Sequence, residues 1–287
     1  LVFSIIHLVP GDAATAILGR QKVTAARVAE LRAQLGLDDP IPVQYARYLG
    51  NALRGDLGKS IRNYVPVSKA IGEQLPSTLA LAAAALLVAL VAGFILGIAA
   101  ALNQGSWLDS AIMSISVSGM SIPTFWLGLL LIMLFSVRLA WFPSISNDNS
   151  FAALVLPALT LGLPEAAVVA RMVRAGMLDV LGREYVTVAR AKGLQEHKVV
   201  LDHAMRNALI PIVTFVGLQT AYLLGGSAIV ETLFARQGIG RLAVQSISNR
   251  DYPMVQGVVL VVAVIYVLIN TFTDILYTVL NPKIRLK

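Results

Sequence analysis

The chain has 287 residues, 57% of them hydrophobic and 14% charged, with a mean hydropathy of +0.74; a soluble domain of this size needs far more polar surface, so the chain falls in the membrane class. It contains no cysteine, which excludes disulfides, thiolate metal sites and cysteine nucleophiles. The net charge of +7 flanks apolar stretches and reads as membrane topology, not as a nucleic-acid surface.

In chain order, residues 1–9 are apolar and end at Pro10-Gly11-Asp12. They are too few for the roughly 20 residues that a bilayer requires. They read as the second half of a first transmembrane helix, truncated here. Residues 10–75 form the one sizeable segment outside the membrane. Within it, residues 24–35 predict a short helix capped by Thr24, with Val28, Leu31 and Leu35 on one face, and Pro40 and Pro42 end it. Pro76-Ser77-Thr78 is expected to open the next span, as a proline can in a first helical turn.

Five further stretches reach spanning length: residues 79–102, 111–137, 154–173, 208–230 and 254–273. Four carry no charge, and the third contains Glu165 and Arg171. Backbone groups in lipid have no water to bond, so the stretches must be helical. The expected fold is an all-α membrane protein with six transmembrane helices, the first truncated. Short-loop charge sets its orientation. Arg174, Arg183, Arg190, Lys192, Lys198 and Arg206 lie on one side, as do Lys283, Arg285 and Lys287 at the tail. That side is assigned to the cytoplasm, with both termini, which makes residues 10–75 extracytoplasmic.

Gly55-Asp56-Leu57-Gly58-Lys59-Ser60 imitates a phosphate-binding loop, but that loop needs a glycine at position 53, where Leu53 stands. A turn is the better reading. His7, His197 and His203 have no metal-ligand spacing, and neither a nucleophile elbow nor a catalytic carboxylate pair is evident. The chain reads as non-catalytic. Glu165, an ionisable group within a span, either lines a translocation path or bonds a neighbouring helix. Glu165 and Asp274 together would suit the rival class, an ion-coupled secondary transporter, though the paired repeats of such proteins are not visible.

Residues 184–211 form two helical patterns between two spans. The first runs through Ala191 and stops at Gly193, a residue that tolerates positive φ. The second sets Leu201, Met205, Ala208 and Ile212 along one stripe. A short helix standing out from the cytoplasmic face suits docking to another protein.

Ala189-Arg190-Ala191-Lys192-Gly193, followed by His203-Ala204-Met205-Arg206-Asn207, resembles the cytoplasmic loop of permeases in binding-protein-dependent ABC importers. More narrowly, it resembles the "B" permease of the dipeptide/oligopeptide/nickel subfamily. Thr187 and Val188 depart from the wider family's Glu-Ala-Ala-x-x-x-Gly pattern, which Ala189 and Gly193 keep. The likeness continues through Leu8-Val9-Pro10-Gly11-Asp12, Gly55 to Ser60, Ser121-Ile122-Pro123-Thr124-Phe125-Trp126, Glu231-Thr232-Leu233-Phe234, Gly238-Ile239-Gly240-Arg241, Arg250-Asp251-Tyr252-Pro253 and Asn281-Pro282. Arg236-Gln237 and Asn281 depart from it.

The resemblance implies a permease domain at 76–287 in a bacterial inner membrane, with a coupling loop at 178–207. Coupling to the ATPase would fall to Glu184, Ala189, Arg190, Lys192, Gly193 and Leu194. Glu231, Arg236 and Arg241 would meet an extracytoplasmic solute-binding protein. The other partners implied are a homologous second permease, membrane lipid, and two ATP-binding subunits that hold the ATP and Mg while this chain holds no cofactor. Within the subfamily's range fall dipeptides, longer peptides, nickel chelates, haem and glutathione.

Overall fold

The computed structural model describes residues 38–145, 150–193 and 225–280, with Phe3, Ala29, Arg32, Gln195, Lys198, Gly217, Gln219, Thr220 and Leu223. Among the described residues every regular element is a helix, and the β pairing is an isolated bridge between Lys59 and Pro66. The helices are α1 (Ile41–Leu53), α2 (Val67–Leu102), α3 (Trp107–Ser121), α4 (Thr124–Leu131, widening to i→i+5 bonding over Ile132–Arg138), α5 (Phe151–Leu181), α6 (Glu184–Ala191), α7 (Ile239–Ser248) and α8 (Tyr252–Leu280). Residues 225–233 are also helical. The expected helix at 24–35 lies outside the described residues except for Ala29 and Arg32, which are helical, and the stripe from Leu201 to Ile212 lies wholly outside them.

Among the described residues three helices are long and apolar enough to cross a membrane, at Val67–Leu102, Phe151–Leu181 and Tyr252–Ile275, and α3 with α4 makes a fourth if the bent pair is one span. Two expectations need correction here. Pro76 does not open a helix: α2 begins at Val67 and carries Pro76 in its interior. At 1.5 Å per residue its 36 residues run for about 54 Å, well beyond the ~30 Å of a hydrocarbon core. Nor are residues 111–137 one straight span, because α3 and α4 meet at 107°. Proline crowds the residue before it out of the helical region. Accordingly Ile122 is extended at φ −78°, ψ 124°, and Pro123 starts the new helix.

Contacts group the chain into two units, Leu1–Pro76 with Gln237–Ile265, and Ser77–Arg236 with Tyr266–Lys287. In the first, Val67, Ile71, Ile239, Met254 and Val258 form an apolar core with Leu57 and Leu242 against it. The loop before α2 is pinned to the turn before α8. The Ser60 hydroxyl and the Ile61 amide both donate to the Asp251 carboxylate, and Arg62 Nε donates to the Asn249 carbonyl at 2.8 Å. Ser60, the last residue of the phosphate-loop lookalike, thus faces a carboxylate rather than an anion site.

In the second unit α5 is the central helix. Its start is capped by Ser150, whose Oγ accepts from the Ala153 amide at 3.3 Å. It packs on α2 through glycines. A Cβ at Gly93 would lie 2.6 Å from Val169 Cβ, and one at Gly97 would lie 2.6 Å from the Ala170 carbonyl oxygen. Small residues let helices in lipid approach backbone to backbone, where dispersion and not water drives association. Below this crossing Ala101, Val169, Val173, Met177 and Val180 make a buried cluster that also takes in Val186 of α6.

Candidate functional site

The short helix α6 follows α5 after a break at Gly182 and Arg183, with Arg183 paired to Asp179 one turn back at 2.8 Å. It is eight residues long and marginal by itself. What holds it is Val186, wholly buried in the cluster at the end of α5. Glu184 sits exposed in its first turn, and Tyr185 and Val188 are exposed too. Ala189 and Arg190 continue the helix. Lys192 and Gly193 are exposed beyond it, Leu194 lies outside the described residues, and the turn closes with Gly193 at φ +78°. That conformation costs an L-residue about 1–2 kcal/mol and glycine almost nothing. The helix is thus rooted by one buried apolar side chain, while Glu184 and Val188 stay exposed.

Glu165 lies in the middle of α5 at 8% exposure, and its carboxylate accepts a hydrogen bond from the side-chain amide of Gln219. Arg171, six residues on, is exposed and lies near the Met120 sulfur at 3.6 Å. Glu165 is thus satisfied by a neutral neighbour, as a buried carboxylate in lipid requires. Asp274 is exposed on α8.

The three residues expected at a binding-protein contact separate. Glu231 is fully buried, and its carboxylate accepts from the Thr78 hydroxyl at 2.6 Å. Arg236 is 2% exposed, and its Nη2 reaches the Ser77 carbonyl at 3.4 Å. Enclosed in this way, Glu231 and Arg236 hold Thr78 and Ser77 of α2 and present little surface in this structure. Arg241, in the first turn of α7, keeps part of its surface.

Five residues were not foreseen in the roles they hold: Thr78, Gln219, Val186, and the pair Asp109 and Arg174. Ionisable and polar side chains at or within apolar spans were the available signal for four of them. Val186 gave none, since one valine in an amphipathic turn looks like any other.

The sequence that builds this fold has counterparts in known proteins. Residues 93–286 match the family described as binding-protein-dependent transport system inner membrane component, and residues 1–82 match its N-terminal companion. The chain belongs to this family. It is therefore a non-catalytic, multi-pass inner-membrane permease of a binding-protein-dependent ABC importer, which removes the ion-coupled transporter as a rival. The glutathione transport system permease protein GsiC of Salmonella paratyphi A is 45% identical over 287 residues, covering 100% of this chain and 93% of that one. The protein of the same name from Escherichia coli K12 is 46% identical over 288 residues, with the same coverage. Two crystal forms of the inward-facing MetNI methionine ABC transporter share the fold at 22% and 20% identity. Their TM-scores are 0.61 and 0.63, and each match covers 74% of this permease and 96% of the solved chain.

Proposed function

We propose that this permease forms half of the translocation path for glutathione or a closely similar short peptide. The observation that carries the proposal is its identity of 45% and 46% to glutathione permeases along its whole length. A homologous second permease supplies the other half. Two ATPase subunits bind ATP and Mg on the cytoplasmic side, and an external binding protein delivers the solute.

In this reading there are six spans: one ending near Pro10, then α2, the bent pair α3–α4, α5, residues 208–230, and α8. Residues 10–75 lie outside, residues 76–287 form the permease domain, and both termini are cytoplasmic. The loop at 178–207 is the coupling element, with Glu184, Ala189, Arg190, Lys192, Gly193 and Leu194 at the ATPase. The burial of Val186 against Met177 and Val180 supports it, because a push on α6 then moves α5. Glu165 borders the path on that same helix, and Arg241 meets the binding protein. Coupling requires α6 to contact the ATPase differently in its two states; equal contact would shift nothing.

The test is a reconstituted importer with its own binding protein. Glutathione should bind the binding protein, stimulate ATP hydrolysis and be taken up, and a catalytically dead ATPase should abolish uptake. If another solute does all this and glutathione does none of it, the solute assignment is wrong.

A further inference from the structure

Helix α1 buries none of its residues. Ile41, Tyr45, Leu49 and Leu53 follow one another at four-residue spacing and are 58%, 49%, 44% and 81% exposed. Residues four apart share a helix face, so the four make one apolar ridge about 18 Å long. The neighbouring row, Gln44, Tyr48 and Ala52, is half-buried. The helix therefore rests on the protein with one edge of its apolar face and leaves the other edge uncovered. Arg47, on the opposite side, stays half exposed and is bonded to Asp39 at 2.6 Å.

What lies beside the ridge is set by how α1 is held. The ring of Phe3 meets Tyr45 edge-on at 5.4 Å between centroids and lies 5.9 Å from the Tyr48 ring. The Phe3 carbonyl accepts from the Gln256 side-chain amide at 3.3 Å. Gln256 stands one turn into α8, a helix that qualifies as a membrane span. Through Phe3, α1 is thus fastened to the first turns of α8. An apolar ridge beside the end of a helix of spanning length is placed to meet lipid.

We infer that α1 is an interfacial helix whose Ile41–Tyr45–Leu49–Leu53 ridge lies in the boundary between headgroups and acyl chains. An amphipathic helix with aromatic and aliphatic residues on one face and arginine on the other has the composition for this position, and tyrosine suits it with an apolar ring and a polar tip. The assignment to the outer leaflet rests on the proposed topology; contact with lipid does not.

The absence of cysteine gives a clean experiment. Leu49→Cys, Leu53→Cys and, on the polar face, Asn51→Cys are labelled with a fluorophore in the assembled importer, in nanodiscs of phosphatidylethanolamine and phosphatidylglycerol. Lipids carrying a nitroxide near the headgroup should quench positions 49 and 53 about twofold or more beyond position 51. Adding the solute-binding protein should leave that difference unchanged. Equal, weak quenching on both faces would overturn the inference. So would a ridge shielded from a water-soluble quencher only when the binding protein is present, which would make the partner a protein. Sidedness is read separately, by an impermeant maleimide at position 51 in intact cells. Protection in intact cells, with labelling only after the membrane is permeabilised, would overturn the topology while the quenching result still decides lipid contact.

Discussion

The Asp109 carboxylate receives both arms of the Arg174 guanidinium, Nε at 2.6 Å and Nη2 at 2.7 Å, and so joins the first turn of α3 to the latter part of α5. The same carboxylate accepts from the Gly105 amide at 3.0 Å, while the Asp109 amide donates to Ser106 Oγ at 3.3 Å. One side chain thereby helps to start a helix and to fix it against its neighbour. Its own exposure is 6%, against 27% for Arg174, so the pair is partly dry and its two-pronged geometry is worth more than a surface ion pair.

Removing one partner should therefore cost more than removing both. Arg174→Gln is expected to destabilise the assembled permease by about 2 kcal/mol, because it leaves a buried carboxylate short of donors. Asp109→Asn with Arg174→Gln should recover part of that loss, since no charge then remains buried. Thermal unfolding of the purified complex across the double-mutant cycle measures it. Additive losses would show that the two residues do not interact.

Gly93 and Gly97 of α2 make a sharper prediction, since a methyl group has no room there. Gly97→Val should lower stability by about 2–3 kcal/mol or prevent assembly, because the Cβ would meet the Ala170 carbonyl and the Val173 side chain. At Gly119, within α3, a Cβ would have nothing within 4 Å of it. Gly119→Ala should instead stabilise by ~0.5–1 kcal/mol through helix propensity alone. Detergent-solubilised complex yield and midpoint temperature, compared for the two variants, would expose the error if Gly97→Val were tolerated.

These contrasts mark where the sequence was legible. The turn at Gly193 could be foreseen because helix-ending chemistry is local: a stop residue, a basic last turn and a new amphipathic pattern lie within a few positions. The helices α2, α5 and α8 were legible as spans from apolar length. The break at Ile122 was visible only as a proline in an apolar run, and nothing local says whether lipid-facing helices will absorb a proline, as α2 does at Pro76, or bend at it. Asp109 and Arg174 are 65 residues apart, and Thr78 and Glu231 are 153 apart. Such partners are chosen by helix packing, on which periodicity along one helix is silent. The burial of Glu231 and Arg236 was hidden for the same reason.

Glu165 separates two roles by its chemistry. Glu165→Gln preserves size and one acceptor for Gln219 but removes the charge. A carboxylate that borders the path should then change the KM or rate of solute uptake, with assembly and melting temperature close to wild type. A carboxylate that merely fastens helices should show the reverse, lower thermal stability with unchanged uptake per assembled complex. Transport assays on size-selected complex decide between them, and unchanged uptake would remove Glu165 from the path.

Gly193 offers the most discriminating series, because its two possible constraints rank substitutions differently. Its φ of +78° penalises any L side chain, by about 1–2 kcal/mol. Yet among the described residues nothing lies within 4 Å of a Cβ at this position, so no clash with them adds to the cost. If the backbone turn is what aims α6 at the ATPase, asparagine should be tolerated better than alanine, since Asn enters the left-handed region more readily despite its bulk. Valine should be worst, being stiff and β-branched. If the ATPase instead packs tightly over the glycine, bulk alone matters and alanine should outperform asparagine. The readout is solute taken up per ATP hydrolysed in reconstituted importer, with co-purification of the ATPase as the control for docking. The expected order is Gly, Asn, Ala, Val. Alanine above asparagine would move the constraint from this chain's backbone to the partner surface, and wild-type coupling in Gly193→Val would take the turn out of energy coupling altogether.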